Sequence, residues 1–328
     1  MVRLLDRQTV ASVYDIKAAI ATTRAAFIAL DQSKAVMPQR VATQVDRHEG
    51  IHLSMPCYVD DEPDVLSIKV ATVFKGNLPN HGLPTTMAFL LLHDARTGEL
   101  ISLMDAEHLT AMRTGAASAL ATDLLAQPDA SVVTVFGAGA QAESQLLAVK
   151  AVRPIKKVYV VGRNPGRTKG FAKRMEENFE FEVQPESNIK EALKKSQVVC
   201  AATNAVKPVF NGRDLQPGTH VNGVGSFRAD MRELDEETLA RSRVYVDRLT
   251  AAQQGAGDLI HAVANGRLVW DSVGELGGLL TGRTPGRQDP SEMTVFKSVG
   301  LAVQDAFAAS WIYERAVKQD LGVPFALS

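Results

Sequence analysis

A glycine-rich run, "VVTVFGAGAQAESQLLAV", has the residue types and spacing of a turn that binds a dinucleotide. Gly137, Gly139 and Ala142 occupy the positions of a G-x-G-x-x-A fingerprint, which also contains Ala140 and Gln141. The run follows an apolar strand pattern and opens a helical one, and another strand pattern begins about 20 residues later, as the motif requires. Gly137 permits a tight turn, Gly139 lets the backbone approach a pyrophosphate, and the helix N-terminus offers N–H groups. These features predict a dinucleotide cofactor.

The next strand pattern, "VYVVGRNPGR", ends in arginines where such folds often carry an acidic residue. A carboxylate at this place accepts hydrogen bonds from the 2'-hydroxyl of NAD and would repel a 2'-phosphate. Arg163 and Arg167 instead offer cationic, fork-shaped donors suited to phosphate, and Asn164 adds a neutral hydrogen-bonding group. The alternative is that the arginines are solvated loop residues. The sequence favours NADP(H) over NAD(H).

A lysine inside a strand pattern is a second candidate for chemistry. Lys69 lies in "LSIKVA" between Ile68 and Val70. If its ammonium is buried, leaving it without a partner would be costly, and an anionic substrate would relieve that cost. The alternative is that the side chain points from its strand to water.

Two kinds of hydrophobic pattern along the chain predict the helices and strands that position these residues. Residues 9–33 have apolar side chains at helical spacing, which indicates one helix or two short ones, and residues 40–103 read as an antiparallel meander. Asp105 can cap a helix through "AEHLTAMRTGAASALATDLLAQ". From Ser131 onward, Val-rich runs alternate with helical patterns, which is typical of parallel strands buried on both faces. A final helix is predicted over Glu292–Lys318.

Length, charge and cysteine content narrow the class of protein. The 328 residues favour two domains, and 36 basic against 37 acidic residues give no footprint for nucleic acid or an anionic membrane surface. No apolar run is long enough to span a bilayer, and the first residues lack a signal-peptide core. Two distant cysteines argue for a reducing compartment and against a zinc site. We therefore expect a cytoplasmic protein with a small-molecule partner and no metal.

Five segments together resemble the ornithine cyclodeaminase and mu-crystallin family. They are "AEHLTAMRTGAASALATDLLA", "VFGAGAQAESQL", "AATNAVKPVF", "HVNGVGSFRADMREL" and "VFKSVGLAVQDAFAA", in family order. The resemblance covers essentially the whole chain. It implies an α/β homodimer with a Rossmann NAD(P)-binding domain over residues 114–299. It also implies an α+β substrate-binding and dimerisation domain from residues 1–113 and the returning helix of residues 300–328, with a substrate cleft between the two.

The same resemblance implies the site residues. Arg40, Lys69 and Arg113 match family positions that bind a small substrate's carboxylate, with Lys69 and Arg113 catalytic. Arg113 and its neighbour Thr114 reach both substrate and cofactor phosphates. Further cofactor contacts are expected at the carboxyl ends of two strand patterns, where open α/β sheets bind ligands: Thr203, Asn204, Val224 and Gly225.

One departure from the family pattern bears on the reaction. Cyclodeaminases carry a catalytic Asp at the position of Phe227, and an aromatic ring cannot accept a proton. Asp230, three residues on, is interpreted as a structural or capping residue. We therefore expect an NADPH-dependent reductase of a small cyclic ketimine carboxylate, such as pyrroline-2-carboxylate or piperideine-2-carboxylate. The alternatives are an NAD(P)-dependent dehydrogenase of an amino acid such as alanine, an ornithine cyclodeaminase, and an NADPH-dependent ligand-binding protein of the mu-crystallin kind.

Overall fold

A computed structural model describes residues 1–326 of the chain. The strands are β1 Val2–Leu5, β2 Ala35–Val36, β3 Val41–Val45, β4 Gly50–Val59, β5 Val65–Phe74, β6 Thr86–Asp94, β7 Leu100–Asp105, β8 Val132–Phe136, β9 Lys157–Val161, β10 Glu182–Pro185, β11 Val198–Ala201, β12 His220–Gly223, β13 Ser242–Val246, β14 Gly274–Glu275, β15 Met293–Lys297 and β16 Val323–Phe325. The helices are α1 Arg7–Val13, α2 Ile16–Asp31, α3 Asn77–His81, α4 Glu107–Leu125, α5 Ala140–Val152, α6 Pro165–Asn178, α7 Ile189–Lys195, α8 Glu236–Ala240, α9 Leu249–Gly255, α10 Gly257–Ala264, α11 Leu276–Leu280 and α12 Ala302–Lys318.

The chain divides into two compact units. Unit 1 comprises Met1–Arg113 and the chain from Leu301 onward, and unit 2 comprises Thr114–Gly300. The first division falls inside α4 and the second just before α12. In the part of the chain that is described, no helix has both the length and the apolar character needed to cross a membrane.

Unit 1 is a mainly antiparallel sheet with helices on one face. The strand order is β16-β1-β7-β6-β5-β4-β2, with β3 also paired to β4. The predicted meander is present as β4 to β7, joined by antiparallel ladders in which Lys69 lies opposite Met55 and Leu90. Alternate residues of β5 are buried, because the strand's side chains point in turn to opposite faces and α12 packs on one of them. Lys69 is on that buried face.

The helices and edge strands of unit 1 extend what the sequence predicted. The helical pattern at the start forms two helices, whose first turns are capped by Asp6 and Asp15. Asp105 accepts from the first N–H groups of α4, as predicted. Strands β1 and β16 were not predicted, because each offers only three or four residues, too few for a period to be recognised.

Unit 2 is an all-parallel sheet of the doubly wound type. Its strand order, β10-β9-β8-β11-β12-β15-β13-β14, contains the 3-2-1-4-5 arrangement of dinucleotide-binding folds. The order reverses between β8 and β11, whose last residues Phe136 and Ala201 are paired. In such sheets ligands bind outside the carboxyl ends of the strands at this switch point. The α/β class with a Rossmann-type sheet, predicted from the sequence, is confirmed.

The predicted helix over Glu292–Lys318 is wrong in its first part. Met293–Lys297 is β15, buried along its whole length between β12 and β13, and the helix begins only at Ala302. A short apolar run that is buried on both faces has no distinguishing period, so the sequence pattern could not separate it from the helix that follows.

Candidate functional site

Three charged side chains of unit 1 form a buried cluster. The Nζ of Lys69 lies 2.8 Å from Oδ2 of Asp305, and Nε of Arg113 donates to Oδ1 of Asp305 at 3.0 Å. The Lys69 and Asp305 side chains are 3% and 1% exposed, so the interpretation that Lys69 points to water is wrong. A buried ion cluster is stable only when the charges are paired in this way. Its two cations and one anion leave a net positive charge.

This environment alters the acidity of Lys69. Burial, followed by the positive charge of Arg113, lowers its pKa from 10.5 to about 8, and Asp305 opposes both effects. Arg40, which is half-buried, adds a smaller lowering. An ammonium with a pKa near 8 is charged at neutral pH and gives up its proton readily, which suits a general acid.

Arg40, Lys69 and Arg113, the three cations predicted for the substrate site, are therefore electrostatically coupled within unit 1. Asp305 was missed by the sequence reasoning. A signal for it existed, since it stands three residues after Ala302 on the buried face of α12, where an unpaired carboxylate would be costly.

In unit 2, the predicted fingerprint forms the turn from β8 into α5. Gly137 has φ +113°, and a Cβ on it would lie 2.5 Å from the carbonyl oxygen of Ala202, so a side chain is excluded there. Gly139 is the N-cap residue of α5 and has no side chain with which to cap it. Ala140 and Gln141 open the helix, whose N-terminal amides and dipole favour an anion. The turn has the form that a pyrophosphate requires.

The arginines after β9 lie near this turn. Nη2 of Arg167 is 3.9 Å from the point where a Cβ would stand on Gly139, and Nη2 of Arg163 donates to Oδ1 of Asn204 at 3.2 Å. Both arginines are exposed, so water or a ligand can reach them. Asn164 accepts from the backbone N–H of Arg167 and caps α6, so its oxygen is engaged in the fold.

A buried carboxylate holds the ends of β11 and β12 together. Oε1 of Glu233 accepts from the backbone N–H of Thr203 at 2.5 Å and from its hydroxyl at 2.8 Å. Oε2 accepts from the N–H groups of Gly225 at 2.7 Å and Ser226 at 3.0 Å. Gly225 approaches the Thr203 backbone so closely that a Cβ would collide with it, and Val224 beside it is buried. Four predicted cofactor residues, Thr203, Asn204, Val224 and Gly225, are thus placed at neighbouring strand ends.

Further buried charges support Glu233. Asp258 accepts from the backbone N–H groups of Glu233 and Leu234 and from the hydroxyl of Ser226, while Nζ of Lys297 lies 3.3 Å from Asp258. Burial raises the pKa of Glu233, and the charge of Lys297 and the donors of Thr203 oppose that rise. The sequence reasoning missed this network, because its members are scattered along the chain from Thr203 to Lys297 and only the fold brings them together.

Thr114, the last predicted cofactor residue, is buried at the start of unit 2. The next residue, Gly115, lies against α5, where a Cβ would be 2.6 Å from the carbonyl oxygen of Ser144. Phe227 packs half-buried against the core of unit 2, and Asp230 accepts from Nε of Arg228 at 2.9 Å. Among residues 1–326, no group of three or more His, Cys, Asp or Glu side chains could hold a metal ion.

Comparisons with known proteins show which family the chain is similar to. The model of the ornithine cyclodeaminase/mu-crystallin family matches residues 2–320. A Delta(1)-pyrroline-2-carboxylate reductase of Bacillus cereus is 36% identical over 291 residues, which cover 88% of this chain and 89% of the relative. The ketimine reductase mu-crystallin of Macropus fuliginosus is 36% identical over 279 residues, or 85% of each chain.

Solved structures are also similar over nearly the full length. One of them is the Delta(1)-pyrroline-2-carboxylate reductase of Thermococcus litoralis in complex with NADH and L-proline. The two structures superpose with a TM-score of 0.96 at 37% sequence identity, covering 98% of this chain and 100% of the other.

Proposed function

Because the chain belongs to the ornithine cyclodeaminase/mu-crystallin family, we propose that it reduces a small cyclic ketimine carboxylate with NADPH. It is an oxidoreductase that acts on carbon–nitrogen bonds with a nicotinamide cofactor. The proposed substrates are of the pyrroline-2-carboxylate or piperideine-2-carboxylate type, and the products are the corresponding cyclic amino acids. The observation that carries this proposal is the buried cluster of Lys69, Arg113 and Asp305.

Arg40 and Arg113 bind the substrate carboxylate in this proposal. A guanidinium can donate two parallel hydrogen bonds to a carboxylate, which fixes its orientation as well as its position. The ketimine carbon is directly attached to that carboxylate. Fixing the carboxylate therefore also fixes the position of the ketimine carbon. Positioning of this kind can supply several of the roughly 7–11 kcal/mol that favourable orientation contributes to a reaction.

Lys69 protonates the imine nitrogen. When bound, the nicotinamide supplies the hydride that adds to the imine carbon. The nitrogen gains its proton from the Lys69 ammonium, which becomes a neutral amine and is reprotonated by solvent. Since the pKa of Lys69 is lowered to about 8 by burial and Arg113, the proton is present at neutral pH and is transferred with little penalty.

The preference for NADPH is supported by Arg163 and Arg167. They lie beside the fingerprint turn and the end of β11, and no acidic side chain stands between them in "GRNPGR". The solved relative is a complex with NADH. We propose that this chain also uses a nicotinamide cofactor but prefers the form that carries a 2'-phosphate.

Reduction is favoured over deamination by Phe227. A cyclodeaminase needs an acidic group at this position to handle the proton of an attacking amine. Here the side chain is apolar and packs against a hydrophobic core. It cannot accept or donate a proton, so the reaction ends with the reduced ring.

We also propose that the protein is a homodimer, assembled through the outer face of the sheet in unit 1. That face carries a row of apolar side chains on adjacent strands: Leu66, Ile68, Val70, Met87, Phe89 and Leu91. Phe89 is 45% exposed and Met87 is 38% exposed. A contiguous apolar surface of this kind is typical of a protein–protein contact. A second copy would bury it.

The substrate proposal is tested by following NADPH and NADH absorbance with cyclic imines of two ring sizes, with pyruvate plus ammonia, and with ornithine. We expect turnover of at least one cyclic ketimine carboxylate. Turnover of pyruvate plus ammonia alone would instead indicate an amino-acid dehydrogenase, ammonia release from ornithine a cyclodeaminase, and tight NADPH binding without turnover a ligand-binding protein.

The role of Lys69 is tested by Lys69→Ala. We expect turnover to fall at least about a hundredfold, the lower range for loss of a general acid, while the Kd for NADPH changes little. Lys34→Ala is the matched control, since Lys34 belongs to the same unit but forms only an exposed pair with Asp61. Equal losses of turnover and NADPH binding in Lys69→Ala would contradict the assignment.

A further inference from the structure

We propose that Asp305 is a positioning residue of the reaction, which orients Lys69 and Arg113 and cancels one of their two positive charges. The inference rests on the proposed function and adds to it a residue that neither touches the substrate nor carries the transferred proton. Its carboxylate is shared, with one oxygen facing each cation, so it fixes the position of the two groups relative to each other.

The start of α12 is built to hold this carboxylate. Asp305 lies in the first turn, where the positive end of the helix favours a negative charge. Its neighbour Gln304 donates to the backbone carbonyl of Arg113 at 3.1 Å and accepts from the N–H of Leu301 at 3.0 Å. Gln304 therefore binds the backbone of Arg113, and Asp305 binds its side chain.

The charge balance explains why a carboxylate is needed. Lys69 and Arg113 are both buried, and without Asp305 two like charges would share one apolar surrounding. With it, their cluster keeps one net positive charge, which a single substrate carboxylate can neutralise. The fold can hold this arrangement before substrate arrives.

Lys69 is the group of this cluster that titrates between pH 6 and 10. Two neutral side chains that face Asp305, Cys57 and Tyr14, do not change charge in this pH range. Burial, followed by the charge of Asp305, raises the pKa of Cys57 to about 12, and burial raises the pKa of Tyr14. Since Asp305 raises the pKa of Lys69 against burial and Arg113, removing it must lower that pKa further.

The sign of the pH effect follows. Lys69 acts in its protonated form, so kcat/KM falls as pH rises through its pKa. In Asp305→Asn this fall occurs at lower pH. A residue that merely stabilised the fold would reduce kcat/KM by the same factor at every pH.

The experiment measures kcat/KM for the preferred ketimine from pH 5.5 to 10 in the wild type, Asp305→Asn, Asp305→Glu and the control Tyr14→Phe. In Asp305→Asn we expect the alkaline fall to move by at least about one pH unit toward acid. Since the wild-type pKa of Lys69 is about 8, this shift lowers the protonated fraction about fivefold at pH 8 and about tenfold at pH 10. Asp305→Glu keeps the charge and should keep the wild-type pH dependence at a lower rate. Tyr14→Phe should leave the pH dependence unchanged. An alkaline fall that stays in place in Asp305→Asn overturns the proposal while leaving the proposed function intact.

A second measurement covers the cases in which the wild type reduces no ketimine or Asp305→Asn is too unstable to assay. Melting temperatures are compared for Lys69→Met, Asp305→Asn and the double variant. If Asp305 holds Lys69, the double variant loses less than the sum of the single losses, because the ammonium left without its carboxylate is also gone. Additive losses overturn the proposal, whatever the reaction is.

Discussion

Replacing Glu233 by glutamine tests how the carboxyl ends of β11 and β12 are held together. The carboxylate accepts four hydrogen bonds, two on each oxygen, from Thr203, Gly225 and Ser226. Glutamine has the same shape but one acceptor oxygen, so its NH2 group must face two donors at one of the strand ends. The variant therefore separates the strand ends without creating a cavity.

The magnitude follows from those contacts. A buried donor left unsatisfied costs about 1–3 kcal/mol, so two such donors cost about 2–6 kcal/mol. Removing a buried negative charge relieves part of its desolvation, which places the expected loss at about 2–4 kcal/mol of unfolding free energy. Thr203 and Gly225 are proposed cofactor contacts, so the affinity for NADPH should fall as well.

The assay is urea unfolding followed by circular dichroism, with and without NADPH, together with the NADPH Kd from fluorescence. The m-value should stay unchanged, which shows that the transition still exposes the same surface. Glu237→Gln is the matched control, because Glu237 forms only a partly exposed pair with Arg267, worth less than about 1 kcal/mol. A loss in Glu233→Gln no greater than in this control, with an unchanged NADPH Kd, would refute the reasoning.

Two further outcomes follow from the surfaces of the two units. Arg163→Asp should lower the NADPH/NADH ratio of kcat/KM by about tenfold or more, since about 1.4 kcal/mol of binding corresponds to that factor; a ratio equal to the wild type's would remove the support for NADPH. Phe89→Glu should convert the dimer to monomers in sedimentation experiments, because a charge would be buried in the apolar face, whereas Val269→Glu, an exposed apolar site of unit 2, should not. A Phe89→Glu dimer would place the contact elsewhere.

The sequence could predict those parts of the site that lie within one short segment of the chain. Gly137 and Gly139 stand two residues apart in a strand–turn–helix pattern, and the backbone between them is the binding element itself. Lys69 was recognisable because a charge stood inside an apolar strand. The local sequence therefore showed the feature itself, a strand–turn–helix geometry in the first case and a charged side chain among buried apolar ones in the second.

The parts it could not predict depend on residues brought together by the fold. Asp305 is 236 positions after Lys69, and nothing in the spacing of the two says that they meet. Glu233 binds backbone N–H groups, which every residue except proline has, so no partner type could be sought. Strand β15 was taken for helix because a sheet buried on both faces removes the alternation by which strands are recognised.

The two faces of strand β5 carry different sets of side chains, one at odd and one at even residue numbers. Odd positions such as Ser67, Lys69 and Ala71 face the buried side, and even positions such as Ile68 and Val70 face the outer side. Substitutions at even positions should therefore affect the proposed dimer contact and leave the proposed acid Lys69 in place, and those at odd positions should do the reverse. Inserting one residue within β5, between Val65 and Lys69, would exchange the two sets for the rest of the strand, turning the ammonium outward and an apolar side chain toward Asp305. The number of residues between the start of β5 and Lys69 thus decides on which face of the sheet the ammonium lies.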